Sequence, residues 1–211
     1  LELANNKEVA SNEKEELAKK AYSLLSSNDL TVNENSKLFA DALLFKAMAL
    51  LGQSNHMKET IQKVTQRPEA YPPKLLETYA EIAEPVDPEQ AAVCIRAAMI
   101  SHSKHSLSQE DVHSLCNMAH RLAQCSEKSS KSKEFWGFIL ACATANREKW
   151  PEISIQWFAA TAWNKGVVCY RMANYECAEQ WMSTAMSFSK LCPSTNPSDS
   201  ETMNNGYKKV L

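Results

Sequence analysis

The chain has 211 residues, 44% of them hydrophobic, with a formal net charge of −2 and a pI near 6.3. That apolar share supports a packed core and excludes global disorder, and the near-neutral charge supplies no basic field to gather phosphate backbones, so composition gives no argument for direct nucleic-acid binding. Four glycines and eight prolines are too few for the turns of a sandwich or barrel of short strands, so an all-α fold is expected.

The predicted elements follow in chain order. Asn12 with Glu15 can cap a helix to about Ser26. Thr31 and Glu34 offer a second capping box before a helix from about Ser36 to Leu51, with Gly52 as its stop. That helix is apolar almost all round (Leu38, Phe39, Ala42, Leu43, Leu44, Phe45, Met48, Leu50, Leu51), so it is expected to have neighbours on several sides. Ser54 caps the next helix, to about Gln66, and Pro72-Pro73 open one running to about Ala83. Asp87-Pro88-Glu89-Gln90 combines a cap residue, a proline at the first helical position and a glutamine at the third. Ser108 precedes a helix to about Gln124, and Ser132 one to about Arg147. Pro151 opens a helix ending near Met172, and Asn174 precedes one ending near Leu191. Nine helices with mostly short links predict an array of α-hairpins.

The seven cysteines, Cys94, Cys116, Cys125, Cys142, Cys169, Cys177 and Cys192, fall mostly inside apolar helical stretches. An odd number so placed suits a reducing compartment, with thiols acting as small buried hydrophobes. No N-terminal signal pattern is present, and the uncharged run from Phe138 to Ala145 is far short of the ~20 residues of a membrane span. The chain opens at Leu1 rather than methionine and stops soon after a further helix start over 200–211. A fragment of a longer array is therefore expected.

The stretch WFAATAWNKGVVCYRMANYECAEQWMSTA, Trp157 to Ala185, sharpens the array reading. Gly166 is followed nine residues later by Tyr175, and Ala178 and Ala185 lie three and ten residues beyond that. This is the skeleton of a tetratricopeptide repeat. Gly166 and Ala178 carry almost no side chain, so two helices can approach closely there, and Tyr175 and Met182 are expected to fill the seam beside them. Five small- or apolar-residue sets with partners four and seven positions on mark the second helices: Ala18-Tyr22-Leu25, Met57-Ile61-Val64, Ala91-Ile95-Ala98, Gly137-Ala141-Thr144 and Ala178-Met182-Ala185. Their spacings are 39, 34, 46 and 41, against a standard period of about 34. The expected architecture is a right-handed superhelical solenoid of α-hairpins over residues 1–211 as a single repeat region, clearest over 151–192.

No catalytic signature is found. The glycines at 52, 137, 166 and 206 are too scattered for a P-loop or dinucleotide turn, and neither G-x-S-x-G nor H-E-x-x-H occurs. The best metal candidate is His113, Cys116, His120 and Cys125. Their spacing matches no standard zinc finger, and the preferred reading is a core cysteine bordered by histidines, with no metal and no cofactor. His102 and His105 are weaker still, at a helix end and in a loop. The polar, locally basic loop Ser126 to Lys133 is read as a solvated connector, with regulatory phosphorylation or contact with an acidic partner as the alternatives. Trp150, Trp157, Trp163, Trp181 and Phe158 are read mainly as core and inter-repeat contacts. Trp157, Ala160, Asn164 and Val168 share one helix face, where an exposed member would anchor a partner. First helices line the inner wall of such arrays, and an asparagine two residues before the helix glycine often bonds a peptide backbone. Asn164, Lys165 and Trp157 are therefore the candidate partner contacts. Earlier positions in the same frame, Leu43 and Glu77, offer no basic clamp for a chaperone's C-terminal tail.

The step Trp163-Asn164-Lys165-Gly166 followed by Asn174-Tyr175-Glu176-Cys177-Ala178-Glu179-Gln180-Trp181 resembles the sporulation-specific meiotic family of tetratricopeptide proteins. The resemblance covers about thirty residues strongly; the preceding hairpins match in character, including their irregular spacing. It implies a scaffold on meiotic chromosomes in the nucleus that promotes crossover formation and synapsis by binding other crossover and chromosome-axis proteins. It supplies no catalytic residues. A repeat adaptor in another pathway, such as a co-chaperone or trafficking scaffold, is the alternative.

Overall fold

The computed structural model describes residues 34–50, 54–103 and 108–192, together with Glu16 and Asn205. Eight α-helices are found among the described residues, and no strand. They are α1 (Glu34–Leu50), α2 (Ser54–Thr65), α3 (Pro73–Ala83), α4 (Pro88–His102), α5 (Gln109–Cys125), α6 (Ser132–Ala145), α7 (Glu152–Arg171) and α8 (Tyr175–Ser189). A 3₁₀ turn, Pro68–Ala70, that the sequence reading did not include precedes α3. The protein is all-α. The helix expected over 12–26, the Ala18-Tyr22-Leu25 set, Gly52, His105 and the helix start over 200–211 lie outside the described residues, Glu16 and Asn205 excepted.

Short-range chemistry sets the helix starts. The Asp87 carboxylate accepts from the Gln90 N–H at 3.2 Å, with Pro88 in the first turn. Ser108 and Asp111 cap α5 reciprocally: the Asp111 carboxylate accepts from the Ser108 N–H at 2.8 Å and the Ser108 hydroxyl accepts from the Asp111 N–H at 3.2 Å. Asn174 Oδ1 accepts from the Cys177 N–H at 3.1 Å. Each such cap satisfies a donor that the helix itself cannot. Pro151 stands at the cap position of α7 and not within its first turn.

The chain groups into two compact units, Leu1–Ser106 with Arg121–Ser129, and Leu107–His120 with Ser130–Leu211. In the first unit α3 and α4 pack along each other as a hairpin, α1 packs on α2 and α3, and α2 packs on α4. First helices thus meet first helices, and second helices meet second helices. Phe45 and Tyr79 join α1 to α3 with ring centroids 4.6 Å apart. Met57, Ile61 and Val64 of α2 and Ala91, Ile95 and Ala98 of α4 are buried, so these two predicted sets mark core faces. Burial of each large side chain here is worth about 1.5–3 kcal/mol. The Ser101 hydroxyl, also buried, donates to the Tyr71 carbonyl at 2.8 Å. Arg121 bonds Glu84 at 2.8 Å, with Glu81 at 3.8 Å. The outcome for α1 differs from expectation: Phe45 and Ala40 are buried, but Phe39 is 67% exposed and Leu43 is also exposed.

In the second unit α7 and α8 pack along each other as a hairpin, and α6 packs on α8. Trp136 meets Phe158, Trp181 and Phe188 edge-on, and Phe158 stacks on Phe188 at 5.4 Å. Such edge-to-face and offset pairs each add about 0.5–1.5 kcal/mol beyond area burial. The Gly137-Ala141-Thr144 set is corrected: all three residues are exposed, and α6 buries Phe135, Trp136, Ile139 and Ala143 instead. Offsets of four and seven select a helix face without saying which face is inward.

Candidate functional site

The hairpin of α7 and α8 is built around a close approach. A Cβ on Gly166 would lie 2.6 Å from Met182 Cγ and 3.2 Å from both Ala178 O and Met182 N. Only hydrogen fits there, so the backbone of α8 rests directly on Gly166. Ala178, Met182 and Ala185 are buried along this seam. Tyr175 is not part of it and is corrected: it is 55% exposed, its ring edge-on to Tyr170 at 5.5 Å. Helical side chains lean toward their N-terminus, and Tyr175 is the first residue of α8, so its ring swings back over the turn.

The turn is a Schellman motif. Asn174 N–H donates to the Cys169 carbonyl and Ala173 N–H to the Tyr170 carbonyl, both at 2.9 Å. Ala173 has φ 58°, the left-handed conformation usually given to glycine. Asn174 then caps α8, so one residue closes the first helix and opens the second. This geometry sets Cys169, in the last turn of α7, against Cys177, in the first turn of α8, with their sulfurs 2.6 Å apart. Both are half-buried. Burial, then the bond and charge of Cys177, push the Cys169 thiol up to about 11, against an opposing pull from Lys133. Their place in apolar helical stretches marks these thiols as core hydrophobes and does not show the pair.

The outward side of α7 is apolar. Ile153, Trp157, Ala160, Asn164 and Val168 recur at four, three, four and four residues and form one stripe. Ile153 is 74% exposed, Val168 54% and Trp157 37%, and Ala160 and Asn164 are exposed. The indole of Trp157 is braced on one side by His120, centroids 4.4 Å apart, and by Phe158 at 5.1 Å. His120 also stacks on Phe158 at 4.6 Å, and desolvation lowers its pKa. The stripe therefore offers a braced aromatic, an amide and three aliphatic side chains to solvent. Lys165 turns the other way: its ammonium sits 5.2 Å from the Trp181 ring centroid and 5.7 Å from that of Trp136, a cation–π arrangement. Of the three candidate contacts, Trp157 and Asn164 share the open stripe and Lys165 is engaged within the unit.

The other singled-out residues have separate surroundings. Cys116 is buried and bonds Ser154, burial raising its pKa. His113 is exposed, its ring Nδ1 3.3 Å from the Gln109 carbonyl. Burial first, then the Glu84 charge, push Cys125 up to about 11. Among the described residues no three such side chains gather to hold a metal ion. His102 closes α4. In the connector, Ser126 and Ser132 are buried and Ser126 donates to the Ala123 carbonyl at 3.1 Å, while Lys133 reaches Gln180. Trp150 and Trp181 are buried, and Trp163 is half-buried. Glu77 pairs with Lys74 at 3.4 Å. No helix among the described residues is long and apolar enough to cross a membrane.

Comparison with protein-family models, with curated proteins and with solved structures returns no match.

Proposed function

We propose that this chain is a protein–protein scaffold of α-hairpin repeats, acting in the nucleus on meiotic chromosomes to promote crossover formation and synapsis. The observation that carries the scaffold reading is the stripe Ile153-Trp157-Ala160-Asn164-Val168: apolar, solvent-facing and mounted on the hairpin with the closest seam. An aromatic braced by neighbours loses little entropy on binding and suits a hot spot. Asn164 beside it offers an amide to the backbone of a docked segment, extended or helical. Like-on-like stacking of α1 on α3 and α2 on α4 supports the repeat-array architecture. The meiotic assignment rests on the resemblance of residues 157–185 to the sporulation-specific family. Its partners are then other crossover and chromosome-axis proteins.

The test is affinity capture from meiotic tissue with the wild-type chain and with Asn164→Arg and Val168→Arg variants, which place charge on the stripe and leave the seam alone. Crossover or axis proteins captured by the wild type and lost by about 5- to 30-fold or more in the variants are expected, since contacts of this kind are worth about 1–2 kcal/mol or more. Capture of chaperones or trafficking proteins alone would overturn the meiotic assignment, and equal capture by the variants would overturn the stripe.

A further inference from the structure

The Cys169–Cys177 contact lies outside the docking stripe and is independent of the partner reading. Its sulfurs are 2.6 Å apart, inside the contact distance of two unbonded sulfur atoms, and a disulfide bond is about 2.04 Å long. The turn brings the two cysteine backbones together. Cys169 supplies the carbonyl that the Asn174 N–H closes on, and the Cys177 N–H is held by the Asn174 side chain. Both backbones are thus fixed by one residue. The pair is half-buried, within reach of a small reagent, whereas Cys94, Cys116, Cys125 and Cys192 are buried.

We propose that Cys169 and Cys177 are a redox-responsive dithiol that closes to a disulfide across the α7–α8 turn, with a small-molecule disulfide such as oxidised glutathione as oxidant. One thiol loses its proton and its thiolate attacks a glutathione sulfur, expelling one glutathione thiolate and leaving a mixed disulfide. The second cysteine, deprotonated in turn, attacks the protein-side sulfur and expels the second glutathione. Two electrons leave the protein, and the two protons end on the two glutathione thiols. Burial and the neighbouring Cys177 favour the protonated form of Cys169, and the thiolate is the attacking species. Closure ties the last turn of α7 to the first turn of α8 and stiffens the hairpin that bears Trp157 and Asn164.

The experiment equilibrates the folded chain in glutathione mixtures running from a cytosolic to a more oxidising poise, blocks remaining thiols by alkylation and maps trypsin fragments by mass. Arg171 lies between the two cysteines, so trypsin separates residues 166–171 from 172–190, each with one cysteine. Expected is a fragment joining these two peptides, split by reductant, with an intact-mass loss of about 2 Da and a higher melting temperature. Cys177→Ser abolishes the joined fragment and the thermal shift, and circular dichroism checks its fold. Alkylation of both cysteines throughout, separate glutathione adducts on each, or linkage of either to a different cysteine overturns the proposal.

Discussion

Two glycine-to-alanine substitutions separate the packing argument from helix propensity. Gly137 and Gly166 both lie inside helices. A Cβ on Gly137 meets nothing within 4 Å. Gly137→Ala should therefore show the bare propensity gain, about 1 kcal/mol. The same methyl on Gly166 meets Met182 Cγ at 2.6 Å and two backbone atoms of α8 at 3.2 Å. Met182 can shift its side chain in part, but the two backbone atoms move only if α8 moves. Overpacking of this kind costs about 1–3 kcal/mol, which cancels or outweighs the propensity gain, so Gly166→Ala should be destabilised by a net ~0–2 kcal/mol and lack the gain seen for Gly137→Ala. Urea unfolding of the wild type, both variants and the Gly166→Ala/Met182→Ala pair reads this directly. With Met182→Ala alone as the fourth corner, the double mutant should be about 1 kcal/mol more stable than the sum of the two single losses, because it removes the shortest contact. A stabilised Gly166→Ala, matching Gly137→Ala, would refute the seam.

Three further outcomes follow from the same structure. Ala173→Gly should raise stability by about 0.5–1 kcal/mol in thermal unfolding, since the left-handed conformation costs alanine more than glycine's extra chain entropy. Asn174→Ala should cost about 1–2 kcal/mol in the same assay, because it removes the side-chain cap of α8. Desolvation lowers the folded-state pKa of His120 below its unfolded value of about 6.5, so the unfolded chain takes up the proton first. Its contribution is therefore complete above about pH 6.5 and is lost as pH falls through that value toward the folded pKa. Melting temperature should drop more on acidification from about pH 7.5 to 5.5 in the wild type than in His120→Leu.

Much of the fold was legible because local chemistry punctuates it. Asp87-Pro88-Glu89-Gln90 and Asn174 announce helix starts through caps that the backbone then makes. The Gly166–Ala178 seam was legible because Gly166, Ala178 and Ala185 stand at the spacing of a repeat hairpin; a helical glycine alone does not signal close approach, since Gly137 has open space around it. Three features were hidden. The inward face of α6 was misassigned from Gly137, since a periodic pattern fixes the spacing of a face and not its direction. Tyr175 was placed in the seam because sequence spacing does not reveal that a first-turn side chain leans back over the turn. The Cys169–Cys177 contact depends on Ala173 taking a left-handed conformation normally left to glycine, and nothing in its residue type signals that. Of the candidate site, Trp157 and Asn164 were legible as one helix face; that Lys165 lies over Trp136 and Trp181 follows only from the packing of α6 and α8.

The proposed docking of meiotic recombination proteins on the solvent-facing stripe of α7 can be read in one measurement. A photo-reactive amino acid placed at position 164 in the chain expressed in meiotic cells, with position 144 on the exposed side of α6 as control, measures it most directly. The account predicts that crossover or chromosome-axis proteins cross-link from position 164 and not from 144. Cross-links to unrelated adaptors' clients, or equal yield from both positions, would contradict it.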